Sequence, residues 1–150
     1  MLASVRYSST VGQRIRGIFG MKINGYEIAA GAKLAGADLP GADLSDARLA
    51  YADLTEADLT EANLSGAALH SANLTGAKLS MANLNKADLD SVNFARADLT
   101  KANLTSSKLV YANLKGADLT GADLTGADLT SADLDSADLS EADLTGAKLS

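Results

Sequence analysis

The sequence predicts a repeat solenoid, a rod of short stacked coils, and three observations carry that prediction. Leucine recurs at every fifth residue from Leu34 to Leu149, with Phe94 the one substitute among 24 positions. Alanine stands two places before each of these centres except at Val92 and Ser107. Finally, 47% of residues are hydrophobic although Trp and Cys are absent, so Ala and Leu make up most of the apolar content. Such a chain is too apolar for the disordered class and too repetitive for an ordinary globule.

The period decides against both common regular elements. An α-helix advances about 100° per residue, so a five-residue step turns the next Leu by about 140° and builds no single apolar face. A flat β-strand alternates faces with period two, and an odd spacing sends successive Leu side chains to opposite sides. A chain that turns the same way once in every repeat points each Leu and Ala at a common axis, with its coils stacked through backbone hydrogen bonds. Ala beside each central Leu keeps a narrow bore from being overfilled.

The remaining positions of the phrase follow from the same picture. Asp or Asn fills the place just before the centre in 18 of the 24 repeats. That interchange fits a side-chain oxygen accepting a backbone N–H in a turn. Asp and Gly are therefore expected at the corners, and the Thr or Ser after each Leu on solvated walls. Phe94 with Val92 reads as a local adjustment of the core, partly answered by the small Ser107.

The phrase A-(D/N)-L-x-x, running from Ala32 to Ser150 and written three times unchanged as GADLTGADLTGADLT over Gly116 to Thr130, resembles the pentapeptide-repeat family. The resemblance implies an all-β fold: a right-handed quadrilateral parallel β-helix with four pentapeptides per coil and about six coils. Five-residue spacing alone does not choose four sides over three. At the β-stacking distance of ~4.8 Å the rod is expected to be roughly 29 Å long.

Three segments are expected. Residues 1–20 read as a basic leader or disordered arm, with Arg6, Arg14 and Arg16 and no acid. An organelle transit peptide and a later start at Met21 are competing readings of the same stretch. Residues 21–31 read as an irregular first coil or cap, with weak repeats centred on Ile23 and Ile28. Residues 32–150 form the β-helix. A terminal repeat needs a polar cover, and the repeats run in register to Ser150, so a homodimer through the C-terminal coil is expected.

Catalysis is not expected. The chain has one His, His70, and no Cys, so the familiar nucleophile arrangements lack parts, and His70 in a Ser-His-Asp site competes with an ordinary exposed His. The carboxylates occupy equivalent solvated positions, whereas acid/base work needs environments that differ. The calcium-binding β-roll has a nine-residue period and a Gly pair absent from this repeat, so neither metal nor other cofactor is assigned.

Charge distribution limits the partners. The net charge is −6, and it runs from +3 over residues 1–31 to −3 over 32–113 and −6 over 114–150. That balance argues against direct contact with nucleic acid or an anionic membrane. No apolar run approaches the roughly 20 residues of a membrane-spanning helix. The expected partner is another protein, and the expected compartment is the cytoplasm, or an organelle or lumen if residues 1–20 are a targeting segment.

Two surfaces stand out. Asp118, Asp123, Asp128, Asp133, Asp138 and Asp143 form an unbroken series of aspartates. The family resemblance implies that some members mimic DNA and bind type II topoisomerases such as gyrase, and these carboxylates would then stand for phosphates. Over residues 32–150 eighteen acids face nine bases, a net −9, about half the charge of an equal length of duplex. The other surface holds Tyr51, His70, Val110 and Tyr111 on or beside one side of a four-sided rod. Tyr is a common interface anchor, which makes Tyr51 and Tyr111 candidates for protein binding by a plain scaffold.

Overall fold

The structure is a computed structural model that describes residues 15–17 and 20–150. Among the described residues there is no helix. From Lys33 to Lys148 the chain is a succession of one-residue parallel bridges, each joining a residue to the one twenty later, as in Lys33↔Asp53 and Asp128↔Lys148. Twenty residues hold four pentapeptides, so each bridge stacks one repeat on the fourth repeat after it. Four walls result, and within a wall every fourth Asp, Asn or substitute lies in line.

Two backbone bonds make each wall step, and a third leaves the corner, as from the Glu56 N–H to the Thr75 carbonyl at 2.9 Å. The Leu N–H donates to the carbonyl nineteen residues on, as from Leu54 to Asn73 at 2.7 Å. The N–H of the residue before it donates twenty-one residues back, as from Asn73 to Ala52 at 2.9 Å. The polar main chain of each wall is thereby satisfied from neighbouring steps while the side chains are left to fill the bore. Leu39 through Leu129 are at most 1% exposed, and the alanines that stand two places before them are buried beside them. Val92 and Phe94 are fully buried. Ser107 is the buried polar residue among those described, and its hydroxyl donates to the Leu104 carbonyl at 2.7 Å. Further along, Leu134, Leu139 and Leu144 are half-buried and Leu149 is exposed.

The corners differ from the sequence expectation in one respect. Each turn runs from a Leu carbonyl to the N–H of the next Ala, as from Leu44 to Ala47 at 3.0 Å, so the two central residues are the pair after the Leu. The second of these has positive φ throughout, from Gly31 at 69° to Gly146 at 70°. A single positive φ at the third turn residue is the signature of a type II turn. Thr and Ser therefore occupy corners, and Asp and Asn sit mid-wall at the bridge, reaching forward to the turn. The reason is that the bridge needs extended backbone, and the side chain of an extended residue is well placed to accept the N–H two residues on. Pro40 fits the same turn, since its fixed φ suits the second residue.

Within residues 21–31, expected as an irregular first coil or cap, lies most of a β-hairpin, and a strand from the expected leader adds to it to make an antiparallel sheet. Strands β1 (Ile15–Gly17), β2 (Gly20–Ile23) and β3 (Tyr26–Ile28) pair in the order β1-β2-β3. Asn24 and Gly25, at φ 50° and 85°, make the two-residue hairpin between β2 and β3, and Asn-Gly with both φ positive is the preferred chemistry of that turn. Ile23 and Ile28 are buried against the first leucines of the bore, and Met21 and Tyr26 pack alongside. Of the leader, residues 1–14, 18 and 19 lie outside the described residues.

Corner conformation sets a direct test. Gly121 has φ +67°, and a Cβ added there meets Lys101 Cγ at 3.5 Å, an ordinary contact. Gly121→Val should therefore lower stability by about 1–2 kcal/mol through the left-handed backbone alone. The denaturant midpoint measures this, with the circular dichroism spectrum unchanged.

Candidate functional site

The acidic series is built from caps. Each of its six carboxylates accepts the backbone N–H two residues ahead: Thr120 to Asp118, Thr125 to Asp123, Ser140 to Asp138 and Thr145 to Asp143 at 2.9 Å, and Thr130 to Asp128 and Asp135 to Asp133 at 3.1 Å. The same contact recurs upstream, for example from Thr55 to Asp53 and from Ser65 to Asn63, both at 3.2 Å. Asp38 is followed by Pro40, which has no N–H to offer.

Stacking brings the series together in part. Asp118 bridges to Asp138 and Asp123 to Asp143, so each pair shares a wall. Asp98 precedes Asp118 in the first of these walls, making three carboxylates in line. Asp128 instead meets Lys148 at 3.3 Å, and Asp133 meets Lys115 at 3.2 Å. Two of the six carboxylates are thus partly neutralised by lysines.

Asn behaves differently at the same position. Asn83 donates to Asn63 at 3.3 Å, Asn63 to Asp43 at 3.4 Å, and Asn113 to Asn93 at 3.0 Å, each bond crossing one step along a wall. The amide thus caps its turn with the oxygen and ties the previous step with the nitrogen. Two stacked carboxylates forgo that bond and repel each other, as like charges directly opposite do. Asp118 on Asp138 and Asp123 on Asp143 are therefore less stable choices than Asn, which the cap alone does not explain.

The cap hydrogen bonds favour the ionised carboxylate. The Thr130 hydroxyl, then its N–H, holds Asp128 below the usual carboxylate range. The Asp135 N–H does so for Asp133, Ser140 for Asp138, and Thr145 for Asp143. Upstream, the hydroxyls of Thr55 and Thr60 lower Asp53 and Asp58 in the same way.

The second surface lies at one corner. Tyr51 and Tyr111 are sixty residues apart, three steps along the same corner column, and each is 68% exposed. Both hold positive φ, 60° and 59°, where the intervening steps carry Ser71 and Ser91. His70 lies beside Tyr51, with rings edge-on at 5.5 Å, and its Nδ1 is 3.3 Å from an Asp88 carboxylate oxygen. Sequence spacing placed His70 near Tyr51; the Asp88 contact was missed, and the eighteen-residue separation, two short of a full step, is the signal that finds it. No group of three or more metal-ligating side chains occurs among the described residues.

A parallel-bridged, four-walled rod of five-residue units is the architecture of pentapeptide-repeat proteins. A family model described as "Pentapeptide repeats (8 copies)" matches residues 30–66, 67–105 and 112–150. The chain belongs to the pentapeptide-repeat family.

Among solved structures, the pentapeptide-repeat protein Rfr23 from the cyanobacterium Cyanothece 51142 is similar at 37% identity and TM-score 0.61, over 62% of this chain. The match spans 64% of Rfr23, under two thirds of its length. A pentapeptide-repeat protein of the Arabidopsis thaliana thylakoid lumen is similar at 28% identity and TM-score 0.58, over 67% of each chain. QnrB1, a plasmid-mediated fluoroquinolone resistance protein, aligns at 18% identity with a TM-score of 0.37 over 80% of this chain and 78% of its own. Comparison with curated protein sequences returns no match.

Two predictions follow from the caps. Asp123→Asn should leave stability unchanged or raise it, whereas Asp123→Ala should lower it by about 1 kcal/mol, both read from denaturant midpoints. Folded pKa values below the unfolded ones contribute stability above the unfolded value, and this is lost as pH falls through the folded value. The thermal midpoint should therefore hold from neutral pH to about pH 5 and fall below about pH 4.

Proposed function

We propose that this protein is a non-enzymatic scaffold that binds another protein through the outer faces of a right-handed β-helix of about six coils. The observation that carries the reading is the pair Tyr51 and Tyr111. A bulky residue at a left-handed corner costs about 1–3 kcal/mol, and both side chains leave most of their surface in water. Folding asks for neither feature, since the equivalent corners elsewhere are filled by Gly, Ser or flexible residues such as Glu, Lys and Arg, and among the described residues the only aromatics there are these two. Aromatic side chains presented in one column supply the rigid, amphipathic anchors on which protein interfaces depend. Double replacement, Tyr51→Ser with Tyr111→Ser, should preserve or raise stability and remove the bound protein from a pull-down. An unchanged set of bound proteins would refute the assignment of that corner.

One observation favours a second reading, in which the rod imitates DNA toward a type II topoisomerase. Aspartate is retained at Asp118, Asp123, Asp138 and Asp143, where Asn would serve the fold better. Against it, Lys78, Arg96, Lys101 and Lys115 interrupt the acidic surface between Glu61 and Asp118. A gyrase supercoiling assay separates the readings. Inhibition or quinolone protection that disappears when all six aspartates become Asn supports mimicry, and no effect at tens of micromolar excludes it.

A further inference from the structure

One wall of the rod, with the two corners that bound it, carries charge in alternating bands. Glu56, Asp58 and Glu61 make an acidic band at one step. Forty residues on, the same three columns hold Arg96, Asp98 and Lys101. After another forty they hold Ser136, Asp138 and Glu141, with Asp135 beside Ser136. Each interval is two steps, ~9.6 Å at the usual strand spacing. Between the basic band and the second acidic band, the left-handed residue of both corners is glycine, Gly116 and Gly121, and Lys115 beside Gly116 is paired with Asp133.

The basic side chains lean across this glycine step. A Cβ built on Gly116 meets Arg96 Cγ at 3.7 Å, and one on Gly121 meets Lys101 Cγ at 3.5 Å. Neither Arg96 nor Lys101 is among the ion pairs of the described residues, which use Lys22, His70, Lys78, Lys115 and Lys148. Two exposed, unpaired cations therefore lie one step from the two glycines, with exposed Asp135 and Glu141 one step beyond on the other side.

We propose that this wall is a contact between two copies of the chain, packed side by side and antiparallel about a two-fold axis through the Gly116–Gly121 step. The symmetry sets Arg96 and Lys101 of each copy against the acidic band of Asp135 and Glu141 in the other, ~4.8 Å along the rod on either side of the axis. Such an interface is isologous, so every favourable contact is made twice and the assembly closes as a dimer. The glycine corners let the two backbones approach at the axis. Asp118 faces its own symmetry mate there, and Asp98 of each copy faces Asp138 of the other; these like charges oppose the association. Single exposed ion pairs contribute little, so the contact depends on the bands acting together and on low salt.

Sedimentation equilibrium tests this on the full chain. The expected result is a two-chain mass at about 20 mM salt and a one-chain mass at about 0.5 M, where the screening length falls to a few ångströms. Arg96→Glu with Lys101→Glu, and separately Asp135→Lys with Glu141→Lys, should each give a monomer at low salt. Mixing these two variants should form a heterodimer, because both halves of the interface then pair opposite charges. Asp118→Asn should shift the low-salt equilibrium further toward dimer. A monomer at every salt concentration, a mass beyond two chains, a dimer indifferent to salt and to the charge reversals, or no heterodimer on mixing would each overturn the proposal. Circular dichroism on every variant separates loss of association from loss of fold.

Discussion

The rod depends on the backbone hydrogen bonds by which each wall Leu donates to the carbonyl nineteen residues ahead and the residue before it donates to the carbonyl twenty-one behind. They recur with the same length at nearly every step, and they place four repeats in each circuit. Regularity at this level is demanding, since one wall segment offers only a few main-chain groups to its neighbours. A segment that shifted by one residue would turn its Leu outward and break both bonds together. Leu in the bore and the wall hydrogen bonds thus enforce the same register from opposite sides of the main chain.

The turns make that register possible, and they show why the corner position tolerates so many residue types. A left-handed residue every five positions bends the chain by the same amount each time. Gly is best suited there, yet Glu, Lys, Arg, Ser, Met and Tyr all occupy the position. Each accepts a modest backbone strain and in return projects a side chain at an edge of the rod, where nothing covers it. The surface chemistry of the protein is written at positions where the backbone is least comfortable, while the walls repeat a stable phrase.

Much of this was legible from residues alone. The five-residue Leu spacing and the accompanying Ala located the bore, and Asp–Asn interchange located the caps. The number of walls was not in the spacing, because three or four repeats per circuit keep the same inward pattern; the long-range bridges decide it. The exchange of corner and wall between Thr and Asp was likewise hidden, since both residues suit turns in the abstract. At the N-terminus, reading residues 21–31 by the downstream period concealed the hairpin that Asn24-Gly25 announces. Of the candidate surfaces, Asp118 with Asp138 and Tyr51 with Tyr111 followed from a twenty-residue circuit. Contacts such as His70 with Asp88 depend on side-chain reach across a step, which a column count does not contain.

The alignment of Tyr51 with Tyr111 has an evolutionary corollary. Gain or loss of one pentapeptide between them would preserve the bore, the caps and the turns, yet rotate everything downstream by a quarter circuit and carry Tyr111 to a different edge. Only changes by a whole circuit leave the surface in phase. Genetic drift in repeat number is therefore nearly silent to folding and loud to recognition, so a change of one repeat is a direct route by which such a rod could exchange one set of neighbours for another.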